Sequence, residues 1–354
     1  MEQASQDQLF NTSWTLHRLS PLYHAKDCET LLDNSAALKV YAMRLRDQLT
    51  GDVLAGLHVS AATADDNALS KTGALKDCSW QAISAWSPRR DEGQRPRATA
   101  TSFPGILVTL EYENITYKAA LLTDTEPRSR GDSQRVGSTY LPLLLTKFPN
   151  ALRQTFISFL SANFDTYCST LRLPSNFLCT GLELFVHELR HARGSSARSA
   201  ANDTVEDVIK ELQLTLAFSP SIAPALRTLN VSISRDALVD FSRDKSAVSK
   251  ARAVDDKPRN PVIRNMASYL ENHLAMKLDL DGSSQNQVAR QHVRLSKVAC
   301  AAFVLGSEGR MKLVVAGQST DDEELSVRHQ SALHASEALL RTVIYRAVIG
   351  DQAT

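Results

Sequence analysis

Two alternating segments around a tight turn constrain this chain most. Ile106, Val108, Leu110 and Tyr112 occupy every second position, Glu113-Asn114 reverse the chain, and Ile115, Tyr117, Ala119 and Leu121 resume the alternation. A period of two puts these residues on one face of a strand, so the segment is expected to be a β-hairpin with one face buried. An isolated hairpin is marginal in water, which obliges the rest of the chain to supply strands or helices against its apolar side.

Both are on offer. Ser13 to Leu19, with Trp14 and Leu16 in phase, reads as a strand stopped at Ser20-Pro21. From Ala36 to Leu49, the residues Leu38, Tyr41, Leu45 and Leu49 recur every three or four positions among Lys39, Arg44, Arg46 and Asp47, the pattern of an amphipathic helix, with Gly51 as its end. Further strands are expected at 52–60, 80–86, 140–145, 167–173, 211–218 and 226–234, and further helices from Pro149, over 175–191, 262–276 and 331–349. A second hairpin is expected where Val293 to Leu305 and Arg310 to Val315 flank Gly306-Ser307-Glu308-Gly309. Strands and helices interleave, an α+β pattern. The expected organisation is a flexible tail over 1–12, an N-terminal part over 13–191, a mobile loop over 192–204, and a C-terminal part over 205–350 that contains a second mobile loop at 243–260.

Forty basic against 39 acidic residues leave a net charge of +1, so no global field draws the molecule onto nucleic acid or an acidic membrane, and any such binding is local. Five cysteines at wide spacings, without a CxxC pair, suit a reducing compartment. No stretch approaches the ~18 apolar residues of a membrane span, and the polar start does not resemble a secretory signal, so cytosol or nucleus is expected. The sequons at Asn11, Asn114, Asn202 and Asn230 then count as chance.

One motif looks catalytic. His187-Glu188-Leu189-Arg190-His191 matches HExxH, in which two histidines one helical turn apart bind zinc and the glutamate activates a water. A third histidine at the metzincin spacing is replaced by alanine, leaving Glu206 or Glu211 as candidate third ligands. The helix phase argues against an enzyme, because Leu178, Leu182, Phe185, Val186 and Leu189 form the core stripe and both histidines project from the other side. The chain has no phosphate-binding GxxxxGK[ST], no GxGxxG after a strand and no GxSxG elbow. Basic positions are the other candidates. Arg310 and Lys312, two apart on an expected strand, share a face, with Arg294 and Lys297 on the expected hairpin partner, a patch suited to phosphates. Loops add Arg89, Arg90, Arg95, Arg97, Lys250, Arg252, Lys257 and Arg259. In the closing helix Leu333, Leu339, Leu340, Val343, Ile344, Ala347 and Val348 span about half the circumference, which fits either a partner-binding helix or one wedged within its own fold.

Taken in order, several segments resemble a known family. Ser13 to Tyr23 (SWTLHRLSPLY) resembles the opening strand and Ser-Pro-Leu turn of the fungal CENP-L-type inner kinetochore subunits. LKVYAMRLRDQL at 38–49 is similar to that family's first helix. Leu143 to Leu178, with FPNALRQ, FLSANFD and LRLPSNFL, is similar to its central block, and ACAAFVLGSEGRMKL at 299–313 with the closing helix to its C-terminal part. HExxH is no hallmark of that family. The resemblance implies a curved, mostly antiparallel sheet with helices packed against it and a C-terminal helix. It implies a non-enzymatic nuclear subunit of the constitutive centromere-associated network, without cofactors, acting in chromosome segregation. It further implies pairing with a CENP-N-type partner, membership with other inner kinetochore subunits, and sequence-independent engagement of the CENP-A nucleosome and centromeric DNA, with room for a homodimer when the partner is absent. On that reading Arg294, Lys297, Arg310 and Lys312 face DNA, and Leu333, Leu340, Val343, Ile344 and Ala347 face the partner. The alternative is a zinc metallopeptidase built on His187, Glu188 and His191.

Overall fold

The alternating segments pair as expected in the computed structural model: β4 (Gly105–Tyr112) and β5 (Thr116–Leu122) form an antiparallel hairpin with Val108 opposite Ala119 and Leu110 opposite Tyr117. The structure describes residues 6–24, 30–32, 34–54, 72–83, 104–124, 137–191, 205–221, 223–242, 261–274, 292–315 and 323–350. The expected loops at 192–204 and 243–260 and the basic clusters at Arg89 to Arg97 and Lys250 to Arg259 lie outside these residues. The chain divides into two units, one formed by 1–171 with 343–354 and the other by 172–342. The division thus falls before the helix at 175–191 rather than after it, because that helix packs on a strand later in the chain.

In the first unit the strands run in the order β1-β7-β5-β4-β3, where β1 is Ser13–Leu19, β3 Leu75–Ile83 and β7 Leu143–Lys147. Every pairing is antiparallel, with β8 (Cys168–Thr170) on the other side of β1 and a separate two-stranded ladder of β2 (Leu22–Tyr23) and β6 (Ser138–Thr139). Helix α1 (Ser35–Leu54) starts where the Asn34 side-chain oxygen accepts the Ala37 N–H at 2.9 Å, an N-cap. It buries Leu38, Ala42, Leu45 and Leu49 and packs on β3. Gly51 does not end it. The helix runs through to Leu54, so the strand expected at 52–60 begins as helix, and 55–60 lie outside the described residues. Helix α2 (Asn150–Phe164) has Pro149 as its N-cap residue, buries Leu152, Phe156, Phe159, Leu160 and Phe164, and stops at Asp165 in the left-handed conformation. Trp80 sits among Tyr41, Phe156, Phe159 and Phe164, with ring centroids 6.1–6.3 Å away.

Two expectations change here. The hairpin buries both faces, since Leu107, Ala120 and Leu122 are as enclosed as Ile106, Val108 and Leu121. The alternation in the sequence marks only the face on which every residue is large. The tail expected over 1–12 is packed from Leu9 onward: Leu9 and Phe10 are buried, and the Trp14 indole N–H donates to the Leu9 carbonyl at 2.8 Å.

In the second unit the order is β10-β9-β11-β12-β13, again antiparallel throughout, with β9 at Leu212–Phe218, β10 at Thr228–Ile233 and β11 at Val293–Ala299. The expected hairpin is a three-stranded meander. Cys300 N–H donates to the Phe303 carbonyl at 2.8 Å and turns the chain, splitting one long run into β11 and β12 (Phe303–Gly306) before β13 (Arg310–Leu313). One sheet face holds buried Leu212, Leu214, Leu216, Leu295, Val298, Phe303, Leu305, Met311 and Leu313. Helix α3 (Ser175–His191) brings its stripe against β11, and Phe185 meets Phe303 at a centroid distance of 4.8 Å. Helices α4 (Arg235–Ser242), which the sequence does not announce, and α5 (Pro261–Leu274) pack together. The closing helix α6 (Glu323–Ile349) passes α3 at Gly181, where an added Cβ would lie 3.1 Å from Leu339. Among the described residues no helix is long and apolar enough to cross a membrane. The architecture is the expected α+β class, antiparallel sheet with helices against it and a C-terminal helix.

Candidate functional site

The second unit's sheet has an open face, and the strand registers decide what stands on it. Residues directly opposite one another across a ladder point to the same side. One row therefore runs Asn230, Thr215, Lys297, Gly306, Arg310, and the next Ser232, Gln213, Ala299, Val304, Lys312. A third pairs Thr228, Ala217 and Arg294. Arg294, Lys297 and Arg310 are exposed and Lys312 is half-buried. All four basic candidates thus share one face, and none of the paired positions on it carries a carboxylate. Glu211 and Glu308 stand only at its margins.

That assembly depends on a β-bulge. Arg294 and Lys297 are three residues apart and would point to opposite sides of a regular strand. The register shift between Leu295 and Lys297 absorbs one residue, so Arg294 sits opposite Ala217 and Lys297 opposite Thr215, two positions on one side of β9. Arg294 and Lys297 lie on β11, which is not the hairpin partner of β13, contrary to expectation. The strand between, β12, presents Gly306 between Lys297 and Arg310, leaving the two cations roughly 10 Å apart with no side chain separating them. Thr215, Gln213, Thr228, Asn230 and Ser232 add neutral donors to the same surface, and the Thr215 hydroxyl donates to the Asn230 side-chain oxygen at 2.8 Å. Sequence reasoning missed these five, although Gln213 and Thr215 alternate with Leu212, Leu214 and Leu216 as an exposed face should.

The HExxH helix is built differently from a zinc site. His187 has a side chain 60% exposed. The Glu188 carboxylate, which a metallopeptidase would aim at a metal-bound water, lies 3.3 Å from His334 Nε2 on α6 and 3.6 Å from His187 Nδ1. His191 closes α3, and its side chain lies outside the described residues. Of the two candidate third ligands, Glu206 is held by Arg235 at 2.8 Å and Glu211 is exposed ahead of β9. Among the described residues no group of three His, Cys, Asp or Glu side chains could hold a metal ion.

The polar side of α3 has a structural role one turn earlier. Glu183 accepts the Ile263 N–H at 3.2 Å, capping the start of α5, and burial pushes its carboxyl above the usual range against the pull of the Ile263 and Val262 N–H groups and of His187 and Arg190. Glu183→Ala is expected to cost about 1 kcal/mol in urea denaturation. Glu183→Gln, which keeps an acceptor oxygen, should cost less, and equal losses would deny the cap.

The closing helix corrects the partner-surface expectation. Leu340, Val343, Ile344 and Ala347 are fully buried in the chain itself, and only Leu333 of the five is partly exposed. The wide apolar arc is consumed internally, where Leu339 closes on Gly181.

No curated protein matches the chain. A family model does, over nearly its whole length: the model for centromere protein L covers residues 8–348, from the packed N-terminal segment to the end of the closing helix. The chain therefore belongs to the CENP-L family, and is a protein of the centromere and kinetochore.

Proposed function

We propose that this protein is a non-enzymatic structural subunit of the inner kinetochore that pairs with a CENP-N-type partner and helps engage the CENP-A nucleosome and centromeric DNA in the nucleus. The observation that carries the DNA half of this reading is the open sheet face with Arg294, Lys297, Arg310 and Lys312 on one side and no paired carboxylate among them. Lysine and arginine facing phosphates release condensed counterions, which gives salt-dependent affinity without sequence choice. Hydroxyl and amide groups on the same surface suit phosphate and sugar contacts. The face carries no Phe, Tyr or Trp at its paired positions, so it offers no platform on which unpaired bases stack, and a duplex backbone is the better match.

The test uses the complex with its partner. Arg310→Ala combined with Lys312→Ala is expected to weaken binding to a mixed-sequence duplex and to lower the slope of log K against log salt by nearly 2, at roughly 0.9 for each phosphate no longer neutralised, while the complex keeps its mass. An unchanged slope would remove these residues from the account.

A further inference from the structure

We infer that Ser219 is a phosphorylation site whose phosphate pairs with Arg294 and takes that arginine out of the open basic face. The inference rests on the DNA reading above and names a regulation of that face. Ser219 follows the last residue of β9 and precedes Pro220. Its N–H donates to the His292 carbonyl at 2.8 Å, which carries the register of β9 and β11 two residues beyond the pair of Ala217 and Arg294. Counted by twos from Thr215 and Ala217, the Ser219 side chain belongs to the face that carries Lys297 and Arg294. Arg294 is its diagonal neighbour across the ladder, about 7–8 Å away and within reach of a long side chain. His292, opposite Ser219 in the same register, keeps its ring Nδ1 enclosed and without a hydrogen-bond partner.

Three serines of this chain precede proline: Ser20, Ser87 and Ser219. Proline at that position removes a backbone N–H, the feature that proline-directed protein kinases select. Ser87 lies outside the described residues. The Ser20 hydroxyl is committed, since it accepts the Tyr167 N–H at 2.9 Å and lies 3.1 Å from the Thr166 hydroxyl. The Ser219 hydroxyl meets that of Ser221 at 2.8 Å in an open turn, where Pro220, Ser221 and residues 224–228 are exposed. In the transfer, Ser219 Oγ attacks the γ-phosphorus of ATP, the bond from that phosphorus to ADP breaks, and the hydroxyl proton passes to the catalytic carboxylate of the kinase. The product carries close to two negative charges and three acceptor oxygens. One charge is met by the Arg294 guanidinium through charge-assisted hydrogen bonds, and the surplus repels the DNA phosphates that the face otherwise attracts.

The test again uses the complex with its partner. Incubation with a cyclin-dependent kinase and ATP, read by phosphopeptide mass spectrometry, is expected to modify Ser219 and to leave Ser20 untouched. A folded complex in which Ser219 stays unmodified overturns the assignment. Phosphoserine installed at 219 during translation then gives a uniform sample for binding. It is expected to lower the affinity for a mixed-sequence duplex by about tenfold at about 0.1 M salt, and the slope of log K against log salt by roughly 0.9, the loss of one neutralised phosphate. On an Arg294→Ala background the same phosphoserine should leave the slope where that substitution alone puts it, and Ser219→Ala should bind as the wild type does. Light scattering shows that each form keeps the mass of the complex, so lost assembly is not read as lost DNA binding. Unchanged affinity and slope on phosphorylation, in a complex whose unmodified form binds duplex in a salt-dependent way, overturn the inference and leave the DNA reading standing. An unmodified complex that binds no duplex removes both.

Discussion

Trp80→Ala is expected to destabilise the first unit by about 3–5 kcal/mol, the range for truncating a large aromatic in a packed core. The indole is 5% exposed, and the rings of Tyr41, Phe156, Phe159 and Phe164 surround it at centroid distances between 6.1 and 6.3 Å. These rings come from α1 and α2, so one side chain ties two helices to β3. Tyr41 and Phe164 also touch each other at 4.4 Å, which limits how far the walls can collapse into the space left behind. Urea denaturation should show a lower midpoint at constant slope. Trp80→Phe, which keeps part of the volume, should lose clearly less, and a loss below about 1 kcal/mol for the alanine variant would mean that the cluster is not the unit's anchor.

The second large effect is an acid sensitivity carried by His17. This residue lies on β1, is 4% exposed, and its Nε2 pairs with the Thr146 hydroxyl at 3.3 Å. Burial, helped by the nearby Arg153 guanidinium, pushes its imidazole down from the usual 6.5 to about 4. The folded state therefore binds fewer protons than the unfolded chain between those values. The associated stability is fully present above pH 6.5 and is lost as pH falls towards 4, to the extent of roughly 3 kcal/mol. Comparing urea midpoints at pH 7 and pH 4.5 for the wild type and for His17→Gln isolates this group, because the difference between the two proteins should shrink or reverse at the lower pH. A difference that does not move with pH would show that His17 titrates alike in both states.

How much of this was legible in the sequence depends on what fixed each feature. The hairpin at 105–122 and helices α2, α3 and α5 follow from periodicity, because side-chain spacing alone sets which residues can reach a core. The extent of α1 did not follow, since Gly51 lowers helix propensity by only about 1 kcal/mol and does not terminate a helix that is otherwise held on its sheet. The split between β11 and β12 lacked its usual marker: the chain turns at Cys300-Ala301-Ala302, with neither glycine nor proline. The basic face was half legible. Arg310 and Lys312 share a side by simple alternation, whereas Arg294 joins Lys297 only through a bulge that no local pattern announces. The closing helix shows the limit most clearly, because a wide apolar arc reads the same whether a partner covers it or the chain's own residues do. Its occupants Leu340, Val343, Ile344 and Ala347 are accounted for internally.

The central claim is that this chain works as one half of a pair within the inner kinetochore. Co-expression with a CENP-N-type protein from the same organism, followed by size-exclusion chromatography with light scattering, measures it most directly. The account predicts a single species whose mass is the sum of one copy of each chain. Two separate peaks, each containing a folded protein at its own mass, would contradict it.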